Sequence, residues 1–233
     1  MKILKGLKNY AQNGKDSFIK VGVISYPYMS NYNDFEPLIA DSSINLEFIE
    51  NNISLDKFDM IILPGSKLVI KDLLWLKSNG LFEKIKEYQK TILGLCGGYE
   101  MMFNTLDDKY ALENSEACIE EGFGFIDDEI VFEKEKILKK ATYAIFDCKI
   151  EGFEIHHGVS KKHSISYEKE NIKGTFIHAI FDNDNIRTKL FKAVNSEYKE
   201  FDFKAYKKDT IDNFISNMRN RLDVNKILEN INE

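Results

Sequence analysis

Four short apolar runs in the first hundred residues, each cut off by turn residues, restrict this chain to a narrow set of folds. They are residues 19–24 (IKVGVI), 46–49 (LEFI), 58–63 (FDMIIL) and 91–95 (TILGL). Apolar runs this short, bounded by Gly and Pro, have the length of buried strands rather than of helices. Over residues 69–89, Ile70, Leu73, Leu74, Leu76, Leu81 and Ile85 recur at helical intervals, with Gly80 as a break. Strands alternating with helical stretches predict an α/β domain with a mainly parallel sheet and helices on its faces.

The second half reads differently. Residues 122–132, 141–150, 152–158 and 174–181 are strand candidates set close together, which predicts antiparallel extensions of the sheet. The tail from Asp209 spaces Ile211, Phe214, Ile215, Met218 and Leu222 to cover one helix face. Residues 1–19 are polar and irregular and read as a lead-in, leaving 20–233 as one domain.

The charge balance, 32 basic against 38 acidic residues and a net −6, lacks the basic face that nucleic acid requires. No apolar run approaches the roughly 20 residues of a membrane span, so no membrane partner is expected. Three cysteines, Cys96, Cys118 and Cys148, without CxxC spacing, fit a reducing compartment and predict a cytoplasmic protein without a metal site. A phosphate-binding GxxxxGK[ST] loop is absent from the sequence.

Chemistry concentrates in two glycine turns that follow predicted strands, LPGSK (63–67) and LCGGY (95–99). Ligands of open parallel sheets bind at the carboxyl ends of strands. A cysteine at a strand-to-helix elbow is held clear of the backbone, and flanking glycines let chain and substrate come close. A helix N-terminus beside Cys96 is expected to lower its thiol pKa. The amide of Gly97 is placed to donate to an oxyanion, with a second amide at Gly65. Among His156, His157, His163 and His178, His178 sits where a strand meets a polar loop and is the candidate base. His163 reads as surface. His156 and His157 are adjacent on a strand, so they point to opposite faces.

These residues resemble a known family. LGLCGGYEMMF is similar to the nucleophile elbow of class I (triad-type) glutamine amidotransferases, more narrowly the glutaminase domain of cobyric acid synthases. MSNYNDFEPL (29–38), GFEIHHG (152–158), GTFIHAIFDND (174–184) and the closing NFISNMRNRLDVNKIL (213–228) match in order and spacing. The resemblance implies a flavodoxin-like fold and glutamine hydrolysis, with Cys96 as nucleophile, His178 as base and Gly65 and Gly97 as oxyanion donors. It implies Tyr99, Glu100 and His156 at the substrate site, Glu100 standing where the family usually carries Gln. The acid that normally follows the histidine by two residues is replaced by Ile180, so a Cys-His dyad is expected. Glutamine and an ATP-dependent amidoligase domain or subunit are the implied partners. ATP and Mg belong on that partner, with no cofactor in this chain. A Mur-ligase-like acceptor enzyme, an inactive scaffold and a free-standing cysteine hydrolase are the alternative readings.

Overall fold

The computed structural model describes residues 18–221. The expected lead-in lies outside these residues apart from its last two, and Ile19 already opens the first strand. The predicted runs form β1 (Ile19–Ile24), β2 (Ile44–Ile49), β3 (Met60–Leu63) and β4 (Thr91–Leu95). They lie side by side in parallel, in the order β2-β1-β3-β4, and two later strands complete a six-stranded sheet beyond β4. All four residues of β3 are buried, as continuous apolar character demands of a strand covered on both faces. Between β3 and β4 run α2 (Val69–Asn79) and α3 (Leu81–Glu87); α1 (Glu36–Ala40) precedes β2. Gly80, at φ 76°, takes the left-handed conformation that ends α2 and redirects the chain into α3.

The second half corrects the expected antiparallel extensions. Only β10 (Ile172–Thr175), parallel to β4, and its antiparallel partner β9 (Ser166–Lys169) join the first sheet. The other segments build a separate five-stranded sheet. Its members are β5 (Phe103–Asp108), β6 (Cys118–Glu121), β7 (Ile126–Ile145), β8 (Cys148–Val159) and β11 (Ile177–His178). The 20-residue β7 pairs antiparallel with β8 and is interrupted by a register shift between Phe132 and Ile137. Phe176, fully buried, is the single residue between β10 of one sheet and β11 of the other.

The helix expected near Tyr99 is one turn only, α4 (Gly97–Glu100), before the chain re-extends into β5. After β11 come α5 (Asp184–Val194) and α6 (Phe203–Arg221). The tail is helical as expected, but its apolar stripe is largely exposed: Ile211, Phe214, Ile215 and Met218 are 40–64% exposed. Leu222 lies outside the described residues.

Candidate active site

Three loops at the carboxyl ends of β1, β3 and β4 meet around Cys96. The cysteine has φ 48° and ψ −111°, a conformation non-glycine residues rarely adopt and one associated with strained functional turns. Its amide bonds to the Thr175 carbonyl at 2.8 Å, and its carbonyl accepts from the Glu100 amide at 2.9 Å. The glycines behind it leave room for the crossing. A Cβ on Gly98 would lie 2.0 Å from the carbonyl oxygen of Leu63, and one on Gly97 would lie 2.7 Å from the backbone nitrogen of Ser66. The two glycine turns therefore touch backbone to backbone. Tyr26 secures the LPGSK turn by donating its hydroxyl to the Pro64 carbonyl.

His178 completes the arrangement from the second sheet. A Cβ on Gly65 would sit 3.3 Å from its Cε1, so the ring flanks the same turn that touches Gly97. The ring is fully buried and stacked on Phe153, centroids 5.1 Å apart. Nδ1 faces Oδ2 of Asp34 at 2.7 Å, and Oδ1 of Asp34 accepts from the Ala179 amide. With a carboxylate on Nδ1, that nitrogen carries the proton and Nε2 presents its lone pair. The carboxamide nitrogen of Asn31, a residue held at φ 54°, lies 2.8 Å from Nε2.

Asp34 corrects the expected dyad. The position two residues after His178 is indeed apolar, but a buried carboxylate reaches Nδ1 from a 3₁₀ turn (Tyr32–Phe35) across a sequence separation of 144. Position 34 falls inside the SNYNDFEPL segment; the sequence signal was present there, without any local spacing that ties it to His178.

The thiol differs from expectation as well. Burial, then the nearby carboxylate of Glu100, push the Cys96 pKa well above the ordinary cysteine value, and the opposing Gly97 amide is a smaller effect. A single helical turn supplies too little dipole to reverse this. Cys96 keeps its proton at rest and directs it toward the Ile155 carbonyl, 3.7 Å away.

Cys96 opens onto a cavity of about 330 Å³ lined by Asn31, Ser66, Glu100, Glu113, Lys136 and His156 among others. That is at the small end of the range for small-molecule sites. His156 is buried, with Nδ1 donating to the Gly158 carbonyl at 2.7 Å and Nε2 3.3 Å from Glu154. Burial lowers its pKa, which keeps the ring neutral. His157, on the opposite face of the same strand, also reaches the cavity rim and bonds the Glu133 carbonyl. His163, expected at the surface, is half-buried, its carbonyl accepting from the Tyr99 hydroxyl.

Tyr99 is not among the lining residues. Its ring is fully buried between Phe103 and Phe176, and a Cβ on Gly174 would lie 2.1 Å from it, so its surroundings are core rather than cavity. Glu113 and Lys136 are lining residues the sequence reading missed. The Glu113 side chain is held in place. Its carboxylate accepts from the Val69 amide at the start of α2, and the loop carrying it is fastened by Asp108. That buried side chain accepts from the amides of Leu112, Glu113 and Asn114 at 2.7, 2.9 and 3.0 Å. No pattern in YALENSEA distinguishes such a residue from a surface acid.

In outline the protein is similar to a crystal structure of a glutamine amidotransferase, with a TM-score of 0.57 at 11% identity over 75% of this chain and 97% of that one. The fold is therefore the flavodoxin-like fold of class I glutamine amidotransferases. Residues 20–186 match the CobB/CobQ-like glutamine amidotransferase domain, and the chain belongs to that family. It is 54% identical over 227 residues to a cobyric acid synthase of Acinetobacter baylyi, covering 97% of this chain and 49% of the relative. A cobyric acid synthase of Clostridium tetani is 33% identical, covering 90% and 48% respectively. The chain spans about half the length of these relatives.

Proposed function

We propose that this chain is the glutaminase half of a cobyric acid synthase. The observation that carries the chemistry is the Cys96 elbow, joined through the Gly65 turn to a histidine whose far nitrogen is held by a carboxylate. The likeness to cobyric acid synthases along nearly the whole chain supports the acceptor.

In this reading the Cys96 proton passes to Nε2 of His178 as sulfur bonds the glutamine carboxamide carbon, and the carbonyl electrons move onto oxygen. The amides of Gly97 and Gly65 receive that oxyanion. Collapse breaks the C–N bond, and the imidazolium returns its proton to the departing ammonia. A water molecule, deprotonated by His178, then cleaves the thioester to glutamate and restores the thiol. Asp34 fixes the tautomer and offsets the imidazolium charge. His156 and Glu100 shape the substrate cavity, while Tyr99 supports it from the core.

The ammonia is passed to a synthetase half that uses ATP and Mg to activate corrin carboxylates. Ammonia in water is mostly ammonium, so the two halves work docked. Three free thiols suit a cytoplasmic location.

Labelling with a diazo-oxo-norleucine, a glutamine-shaped electrophile, tests the reading by mass spectrometry. The expected result is one adduct, on Cys96, suppressed by glutamine. Absence of an adduct under conditions where a known glutaminase reacts overturns it. Corrin amidation on mixing with the synthetase half and glutamine checks the acceptor.

A further inference from the structure

Asp72 is a buried carboxylate that the mechanism leaves unused, and it is bonded to the turn that carries the Gly65 amide. It belongs to the first turn of α2 and is fully buried. Its Oδ2 accepts from the Ser66 hydroxyl at 2.5 Å, and its Oδ1 accepts from the Tyr28 amide at 3.0 Å. The Ser66 oxygen in turn accepts from the Leu68 amide. A hydroxyl contact of 2.5 Å has the length of a charge-assisted bond to an ionised carboxylate. Burial raises the Asp72 pKa to about 6 and both bonds oppose the rise, so the group is charged at neutral pH. It is held by a hydroxyl and an amide rather than by a cation. As mere packing, such a charge is inferior to an apolar side chain of the same size.

Ser66 and Tyr28 belong to two segments that are laced together. Met29 and Ser66 form an antiparallel bridge. The Ser30 amide donates to the Gly65 carbonyl and the Lys67 amide to the Tyr28 carbonyl, each at 2.9 Å, while Tyr26 donates its hydroxyl to the Pro64 carbonyl. A trans peptide points its N–H opposite its C=O. The Tyr26 bond therefore aims the Gly65 N–H, and the lacing of the next two peptides keeps it aimed. Beyond Ser30 the same segment runs on to Asn31 and Asp34, which meet His178. From a third element, Asp72 thus joins the turn of the oxyanion amide to the loop that supports the histidine.

We infer, on the basis of the glutaminase reading, that Asp72 is a positioning residue for glutamine hydrolysis: by holding the Ser66 hydroxyl and the Tyr28 amide, it fixes the Gly65 amide where the oxyanion forms. The cavity is lined by Ser66 and not by Asp72, so the carboxylate acts through the turn and not on the substrate. Its loss falls on the step in which negative charge gathers on the carbonyl oxygen, because a donor displaced by a fraction of an ångström no longer meets that charge. Glutamine binding and the reactivity of the thiol stay as they are.

The test follows Cys96 labelling against the concentration of diazo-oxo-norleucine, which separates binding (KI) from attack within the complex (kinact). The ketone oxygen of the reagent takes the place of the carboxamide oxygen. Asp72→Asn keeps the shape and removes the acceptor of the Ser66 hydroxyl, and Ser66→Ala removes the donor. In each variant, with the circular dichroism of the wild type, kinact is expected to fall roughly 10–100-fold. KI and the rate of Cys96 alkylation by iodoacetamide are expected to stay within about twofold of the wild type. The double variant is expected to lose no more than either single one, because all three remove the same bond. An unchanged kinact in either folded variant overturns the inference, as does a loss confined to KI, or losses that multiply in the double variant. Ser66→Ala decides the matter if Asp72→Asn fails to fold. Diazo labelling of the wild type at a rate the variants match sinks this inference alone. Wild-type Cys96 that takes iodoacetamide but no diazo label sinks the glutaminase reading and this inference with it.

Discussion

At the residue scale, the proposed mechanism leaves activation of Cys96 to His178, because burial and Glu100 both hold the proton on the thiol. Cys96→Ser is expected to abolish glutamine hydrolysis with the fold intact, as read by circular dichroism beside an ammonia assay. Asp34→Asn replaces the group that sets the His178 tautomer and is expected to lower kcat by roughly 10²–10⁴-fold with little change in KM. Glu100 also carries a stability signature. Its pKa is raised from the ordinary carboxylate range to about 8 in the fold, so its contribution is fully present below about pH 4.5 and is lost as pH rises through 8. Glu100→Gln should raise Tm at pH 8.5 and leave it unchanged at pH 4, measured by calorimetry. Cys96 and His178 were legible because each sits in a local motif. Asp34 and Glu113 were not, since their partners come from distant loops and an acid in a turn looks like any surface acid.

At the scale of elements, the elbow rests on β3 and β4 lying close enough for Gly98 to meet the Leu63 carbonyl. Gly98→Ala puts a methyl group into backbone that cannot rotate aside, and should cost on the order of 1–3 kcal/mol in urea unfolding or yield insoluble protein. The parallel strands were readable because each is a short run buried on both faces. Residues 118–159 were harder: alternation along β8 tells which side chains face inward but not which sheet the strand joins. The helix expected after Cys96 was cut to one turn because Phe103 is drawn into pairing with β7.

At the scale of the whole molecule, amphipathic spacing in α6 signals a helix but not a covered one. Phe214, 64% exposed, should be replaceable by Ser with a stability change within about 0.5 kcal/mol, checked by denaturant titration of the chain alone. The two sheets carry a larger consequence. Cys96 directly follows a strand of the first sheet, whereas His178 is the last residue of a strand in the second, and Phe176 alone separates β10 of the first sheet from β11 of the second. In the proposed mechanism catalysis is thus a logical conjunction written into the topology. Neither sheet alone supplies both Cys96 and His178, and loosening either one is expected to silence glutamine hydrolysis before the chain as a whole has come apart.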